Sequence, residues 1–590
     1  MKIKKMLFTA MSIIVLVTSA NAQNVNIPDA NFKAALVGNA NVNSNLDTEI
    51  QIVEASAFNG MIDVSGLGIS DLTGIEAFVL LDSLDCSYNQ LAALNVSACN
   101  SLTTLNCSYN YAITSLDVSA NSLLTYLDCS NGIWTSWAGY VEGQLTSLNL
   151  SSNTVLTYLD CSFNHLAALD VSACTSITTL NCSYNYEITS LDVSANTSLT
   201  TLNCSHNHAI TSLDVSANTL LTTLNCSYDY AITSLDVSAN SLLTYLDCSS
   251  GYLTGGGWFP GQLASLDLSS NAALTYLNCY GNQLTSIDLF FNTVLTYIDC
   301  SNNLLADLNV SACTSLTTLN CYLNQLVGID VSSNTALVYL DCNTNQLTSI
   351  DVSANPSLTT LNCSYNYAIT SLDISANTSL AHLDCVSNQL TSLDLSSNAA
   401  LTYLNCSYNY AITSLDLSSN TALTYLDCSY NQLANLNVKN GNNINMSDHS
   451  FFAIYNSNLT CIEVDNVPWS TTNWAGYFYV VEYFWPGTED PYYEQFFQSN
   501  IDAQSFYSED CSNIDVNNIS QNVQLMVYPN PTTGIVFMSK NSNLELTDLT
   551  GKILLQRNNT NQLDISILSA GMYLLSVGGI TQQVIKIIKE

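Results

Sequence analysis

Basic residues are almost missing from this 590-residue chain. Ten Lys and Arg stand against 47 Asp and Glu, for a formal charge of −37, and none falls between Lys33 and Lys439. Holding nucleic acid needs clustered Lys and Arg on the phosphates, so that class of partner is excluded. Long apolar runs are missing too. The longest, Met6 to about Thr18, is too short to span a bilayer. Only five His occur, and no Ser-His-Asp order, zinc motif or phosphate loop stands out. Carboxylates recur in every repeat, so none is singled out as an acid or base, and the chain does not read as an enzyme. With a mean hydropathy of +0.18 it is too apolar to be a disordered acidic chain.

The N-terminus carries Lys2, Lys4 and Lys5, the apolar run, and then Ala20-Asn21-Ala22. That is the layout of a secretory signal peptide over 1–22, cut after Ala22. At the other end, 524–590 holds five basic residues (Lys540, Lys552, Arg557, Lys586, Lys589) against four acidic ones. This shift in composition marks a domain boundary, and the segment reads as short strands between Pro and Gly turns, suited to a small β-sandwich.

Between the ends one pattern recurs over 81–438. Cys86, Cys107, Cys129, Cys161, Cys182, Cys204, Cys226, Cys248, Cys279, Cys300, Cys321, Cys342, Cys363, Cys385, Cys406 and Cys428 mark it. Thirteen of the fifteen intervals are 21 or 22 residues, and the other two are 32 and 31. A fixed period of that size means a solenoid. Each unit halves again: Leu199–Asn207 and Ile210–Asn218 both read L-x-x-L-x-(C/V)-S-x-N. A half of ten residues has room for one strand and one turn, which predicts a mainly β coil with two parallel sheets. Alternation points Leu202, Cys204, Leu213 and Val215 inward, and Thr201, Asn203, Ser212 and Asp214 outward. Parallel side chains ~4.8 Å apart do not suit disulfides, so the repeated thiols read as a buried free stack. Cys461 and Cys511 lie beyond the last repeat and are the expected disulfide, in a C-terminal cap over 439–515.

The repeat resembles the short nested 21-residue class of bacterial leucine-rich repeats, LxxLxCxxNxLxxLDxSxN. The C-terminal segment, with its PNPTTG turn from Pro529, its DLTGK step from Asp548 and its LSAGMYLL strand from Leu568, resembles the type A sorting domain of the Bacteroidetes type IX secretion system. That resemblance implies export across the outer membrane by the secretion machinery, followed by release or attachment at the cell surface. A leucine-rich repeat implies binding or adhesion, with a protein or glycan as ligand. A matrix rod without a ligand is the alternative reading, and a carbohydrate-active enzyme a more distant one.

Three places carry candidate sites. In the N-terminal cap, 23–80, with its helical stretches, Asn43, Asn45, Asp47, Glu49 and Glu54 have the spacing of an EF-hand calcium loop. Asn at its first position and Thr48 in place of Gly at its sixth depart from that motif, and a metal-free cap is the competing reading. One outward column is nearly all Asp, including Asp192, Asp214 and Asp236; it reads as a solvated acidic face or a cation-binding one. Two insertions leave the same edge of the coil. The first, Gly132–Gly143, carries Trp134, Trp137 and Tyr140; the second, Gly251–Gly261, carries Tyr252, Trp258 and Phe259. Insertions into a solenoid often form its binding face, and exposed aromatics flanked by Gly suit sugar stacking or protein anchoring.

Overall fold

The structure, a computed structural model, describes residues 23–135, 139–254, 257–447, 449–474, 477–483, 492–498, 500–502 and 504–512, and then 527–528, 532, 534–578 and 583–589. The signal-peptide segment 1–22 lies outside the described residues. The chain divides into two compact units, Met1–Leu305 and Ala306–Glu590.

The first unit opens with the cap. Helix Ala30–Gly38 starts at Asp29, whose carboxylate accepts from the N–H groups of Asn31 and Phe32 and from Ser70 N and Oγ at 2.9 and 3.1 Å. One side chain thus caps the helix and ties it to the following turn. Eleven three-residue strands then pair in parallel, from Met61–Asp63 to Tyr297–Asp299. Each central Leu or Ile sits opposite its equivalent one coil on, as in Leu180↔Leu202 and Leu202↔Leu224. The other face pairs only in pieces, Ser115–Asp117 with Ser147–Asn149 and Leu213–Asp214 with Leu235–Asp236.

Side-chain amides fill the gaps between short strands. Three residues after most of the repeat Cys stands a buried Asn whose Nδ2 donates across and within coils: Asn185 to Cys161 O at 3.1 Å and Cys182 O at 3.0 Å. A second ladder runs under the other face, where Asn218 Nδ2 reaches Val193 O at 3.0 Å and Asn196 O at 2.8 Å. Buried loop carbonyls must find donors, and these amides supply them. Leu, Val and Cys complete the core, and all nineteen free thiols are buried. Burial pushes the thiols up, Cys99, Cys174 and Cys313 to about 11, so they sit as small hydrophobes.

The second unit holds seven strands of the same kind, from Thr318–Asn320 to Phe451–Phe452. Its other face ends in a four-stranded sheet of Ser414–Asp416, Asn435–Asn437, Cys461–Glu463 and Phe506–Ser508. The expected Cys461–Cys511 disulfide is present, with Cα atoms 6.0 Å apart. In the same cap Trp474 stacks on Phe451 at 4.1 Å and donates from Nε1 to Met446 O at 2.9 Å. The C-terminal strands form one five-stranded antiparallel sheet, with Val536, Leu546, Leu563, Leu575 and Ile587 in its core. Among the described residues no helix is long and apolar enough to cross a membrane.

Candidate functional site

The edge that follows the Cys-bearing strands is built from a residue type that strand alternation does not flag. Two places after most of the repeat Cys the backbone turns left-handed. Tyr88, Tyr109, Phe163, Tyr184, His206 and Tyr228 all lie between φ 55° and 59°. That region is unfavourable for bulky side chains and persists only where the surroundings hold it. Here Tyr184 N donates to Ser205 O at 2.9 Å and His206 N to Ser227 O at 2.8 Å. The rings stack as well, Phe163 on Tyr184 at 4.1 Å, Tyr184 on His206 at 4.0 Å and His206 on Tyr228 at 4.4 Å, each such pair contributing roughly 0.5–1.5 kcal/mol. His206 is therefore one ring of an aromatic column. Burial, and then the neighbouring His208, lowers it to about 4, so it is neutral at pH 7.

A second tier stands beside this column. The coils opening at Cys182, Cys204 and Cys226 are 22 residues long, and the added residue makes a local turn, Ile188 N to Asn185 O at 3.0 Å and Ile210 N to Asn207 O at 3.0 Å. Shorter coils bond to their neighbour instead, as His165 N does to Leu145 O at 3.0 Å. The wider turns bring out Tyr186, His208 and Tyr230, with Tyr186 and Tyr230 at 77° and 85° to the rings of Tyr184 and Tyr228. Rings in the column cover each other's faces and present edges. Rings in the second tier are turned across that stack.

The two insertions bracket these coils. Each is an antiparallel hairpin, Ile133–Thr135 with Gly139–Val141 and Tyr252–Thr254 with Gly257–Phe259. The register sets Trp134 opposite Tyr140, Leu253 opposite Trp258 and Tyr252 opposite Phe259. Trp137, and the side chains of Trp134, Tyr140, Tyr252, Trp258 and Phe259, lie outside the described residues. The hairpin roots require Gly. A Cβ at Gly132 would run into the ring of Phe163, and one at Gly261 into Ser250 and Asn282. Just past the first hairpin, Glu142 lies 3.6 Å from His165 Nε2, and Glu187 lies 3.0 Å from its Nδ1.

The remaining candidates fall elsewhere. Asp192, Asp214 and Asp236 occupy one exposed column, and each accepts at 2.9 Å from the N–H of the Ser two places on. The Ser hydroxyl and then that N–H hold each carboxyl below the usual range. On the opposite face Asp tends to alternate with Asn along the ladder. Asn106 Nδ2 donates to Asp85 at 3.2 Å and Asn181 Nδ2 to Asp160 at 2.8 Å, so neutral amides separate many of the carboxylates.

In the EF-hand-like loop every candidate side chain has a protein partner. Asn43 Nδ2 donates to Val37 O and Asp47 O at 3.0 and 2.8 Å. Asp47 accepts from Glu49 N at 2.7 Å and Gln51 Nε2 at 2.9 Å, and Asn45 accepts from Asp47 N at 2.8 Å. Glu49 pairs with Lys33 at 2.6 Å. Glu54 accepts from Ser44 N and Gln51 N at 2.9 and 3.0 Å, capping the helix Ile52–Ala57.

The coil, its Asn ladders and its stacked thiols define a leucine-rich-repeat solenoid. The functional domain of InlJ from Listeria monocytogenes, which includes a cysteine ladder, is similar to this chain at 28% identity, covering 96% of this chain and 98% of that one with a TM-score of 0.51. The leucine-rich-repeat protein LIC12759 of Leptospira interrogans is 21% identical over 65% of this chain and 92% of its own, with a TM-score of 0.47. YopM from Yersinia enterocolitica WA-314 is 21% identical over 68% and 86%, with a TM-score of 0.46. Residues 526–590 match the family described as the secretion system C-terminal sorting domain. The chain is thus a leucine-rich-repeat protein whose C-terminal segment belongs to that sorting-domain family. No curated protein matches it.

Proposed function

We propose that this protein is exported through the type IX secretion machinery and acts outside the cell, surface-held or released, as a non-catalytic binding and adhesion protein. Its ligand, a protein or a glycan, lies along the edge between the two hairpins. One observation carries the reading. Hairpins at 133–141 and 252–259 leave the same edge on either side of coils whose turns carry Phe163, Tyr184, His206 and Tyr228, with Tyr186, His208 and Tyr230 beside them. Trp and Tyr in hairpins that flank a row of stacked rings suit recognition by contact and stacking. That row has no Lys or Arg and its His206 is neutral, which favours an uncharged or cationic ligand over a polyanion.

The test is an array of glycans and extracellular proteins probed with the wild type and with Trp134→Ala, Trp137→Ala and Trp258→Ala. A ligand bound by the wild type and lost by these variants supports the reading. Equal binding by all four overturns it.

A further inference from the structure

At the opposite turn of the coil, where the acidic strand ends, the residue two places after the Asp is Ser in coil after coil: Ser194, Ser216, Ser238, Ser269. After Asp288 it is Phe290, followed by Phe291. Phe290 N still donates to Asp288 Oδ1 at 3.0 Å, so the turn keeps its backbone hydrogen bond and the change lies in the side chains. Phe290 is 67% exposed and Phe291 51%, and the rings meet edge to face with centroids 5.1 Å apart. Val294, at the same turn, is exposed too. Neither Phe serves the core, and clustered exposed apolar side chains of this kind mark interaction sites. Their surroundings are acidic, because Asp236, Asp267 and Asp288 occupy one column in successive coils and no Lys or Arg occurs from 34 to 438.

We infer that this turn docks a protein segment carrying apolar side chains flanked by Lys or Arg. The two rings anchor the apolar side chains, and the carboxylate column draws in and orients the cations. The same field repels anionic membranes, nucleic acid and a second copy of this chain. The surface belongs to the turn opposite the hairpins and does not depend on the ligand proposed for that edge.

The experiment uses the full chain and a synthetic peptide of alternating Lys and Leu pairs, with the Lys→Glu peptide as control. Phe290→Ser/Phe291→Ser restores the residue type of the sibling coils and should leave the melting temperature unchanged. That variant is expected to lose peptide affinity by about tenfold or more, and the Lys→Glu peptide to show no binding to the wild type. Equal affinity for wild type and variant would mean that charge alone holds the peptide, and would overturn the proposal. A wild-type dimer dissolved by Phe290→Ser/Phe291→Ser would assign the patch to a second copy and also overturn it.

Discussion

Asp229 accepts a 2.6 Å hydrogen bond from the backbone N–H of Asn207 through Oδ1, while Oδ2 lies 3.7 Å from Cys204 Sγ. In the preceding coils this position is Asn, whose Nδ2 donates to two Cys carbonyls, as Asn207 does to Cys204 O and Cys182 O at 2.6 and 3.2 Å. A carboxylate has no donor for such carbonyls, whereas a protonated carboxyl has one. Burial drives Asp229 well above the usual carboxylate range. The stability linked to this proton is full below the unfolded value near ~3.9 and is lost as the pH rises through the higher folded one. Asp229→Asn should therefore stabilise the solenoid by about 1–3 kcal/mol at pH 8, with the gain shrinking toward pH 4. Paired melting curves across that range check it.

The thiols should be inert in the folded protein. With all nineteen buried, a thiol reagent at pH 8 should find almost none, and all nineteen after denaturation in guanidinium. Rapid reaction of several thiols in the native chain would show that the coil interior is open to water.

The single disulfide should matter locally. It closes a 50-residue loop, for which chain entropy gives about 4 kcal/mol. Cys461→Ser/Cys511→Ser should loosen the C-terminal cap before the coils melt. An early fluorescence change as Trp474 leaves its stack on Phe451 would report it.

Calcium should leave the N-terminal cap unmoved. Glu49 is taken by Lys33, and Glu54 by the backbone of Ser44 and Gln51, so a metal would have to displace existing bonds. Calorimetry in millimolar calcium and in chelator should give the same melting temperature, and a rise with calcium would show that the metal wins.

Much of this was legible from spacing. The Cys period, the inward Leu and Cys, and Cys461 with Cys511 follow from strand alternation and from counting thiols. The left-handed turns at Tyr184 and His206 did not follow, because alternation describes strands and says nothing of a turn's φ. His206 and His208 stand where sibling coils carry Tyr, and only the stacking of His206 between Tyr184 and Tyr228 shows that an imidazole can replace a phenol in that column. The D–N alternation and the buried place of Asp229 were missed for a related reason. They depend on which residues meet across coils, and a repeat reads the same in every coil until its neighbours are compared.

The most direct measurement excises both hairpins. Removing 133–142 and 252–260 returns the intervals of 32 and 31 residues to 22, the length of three of the four coils between them. The excised protein should keep its circular dichroism and melting temperature and no longer retain the ligand that the wild type binds. Undiminished binding by the excised chain would contradict recognition at that edge.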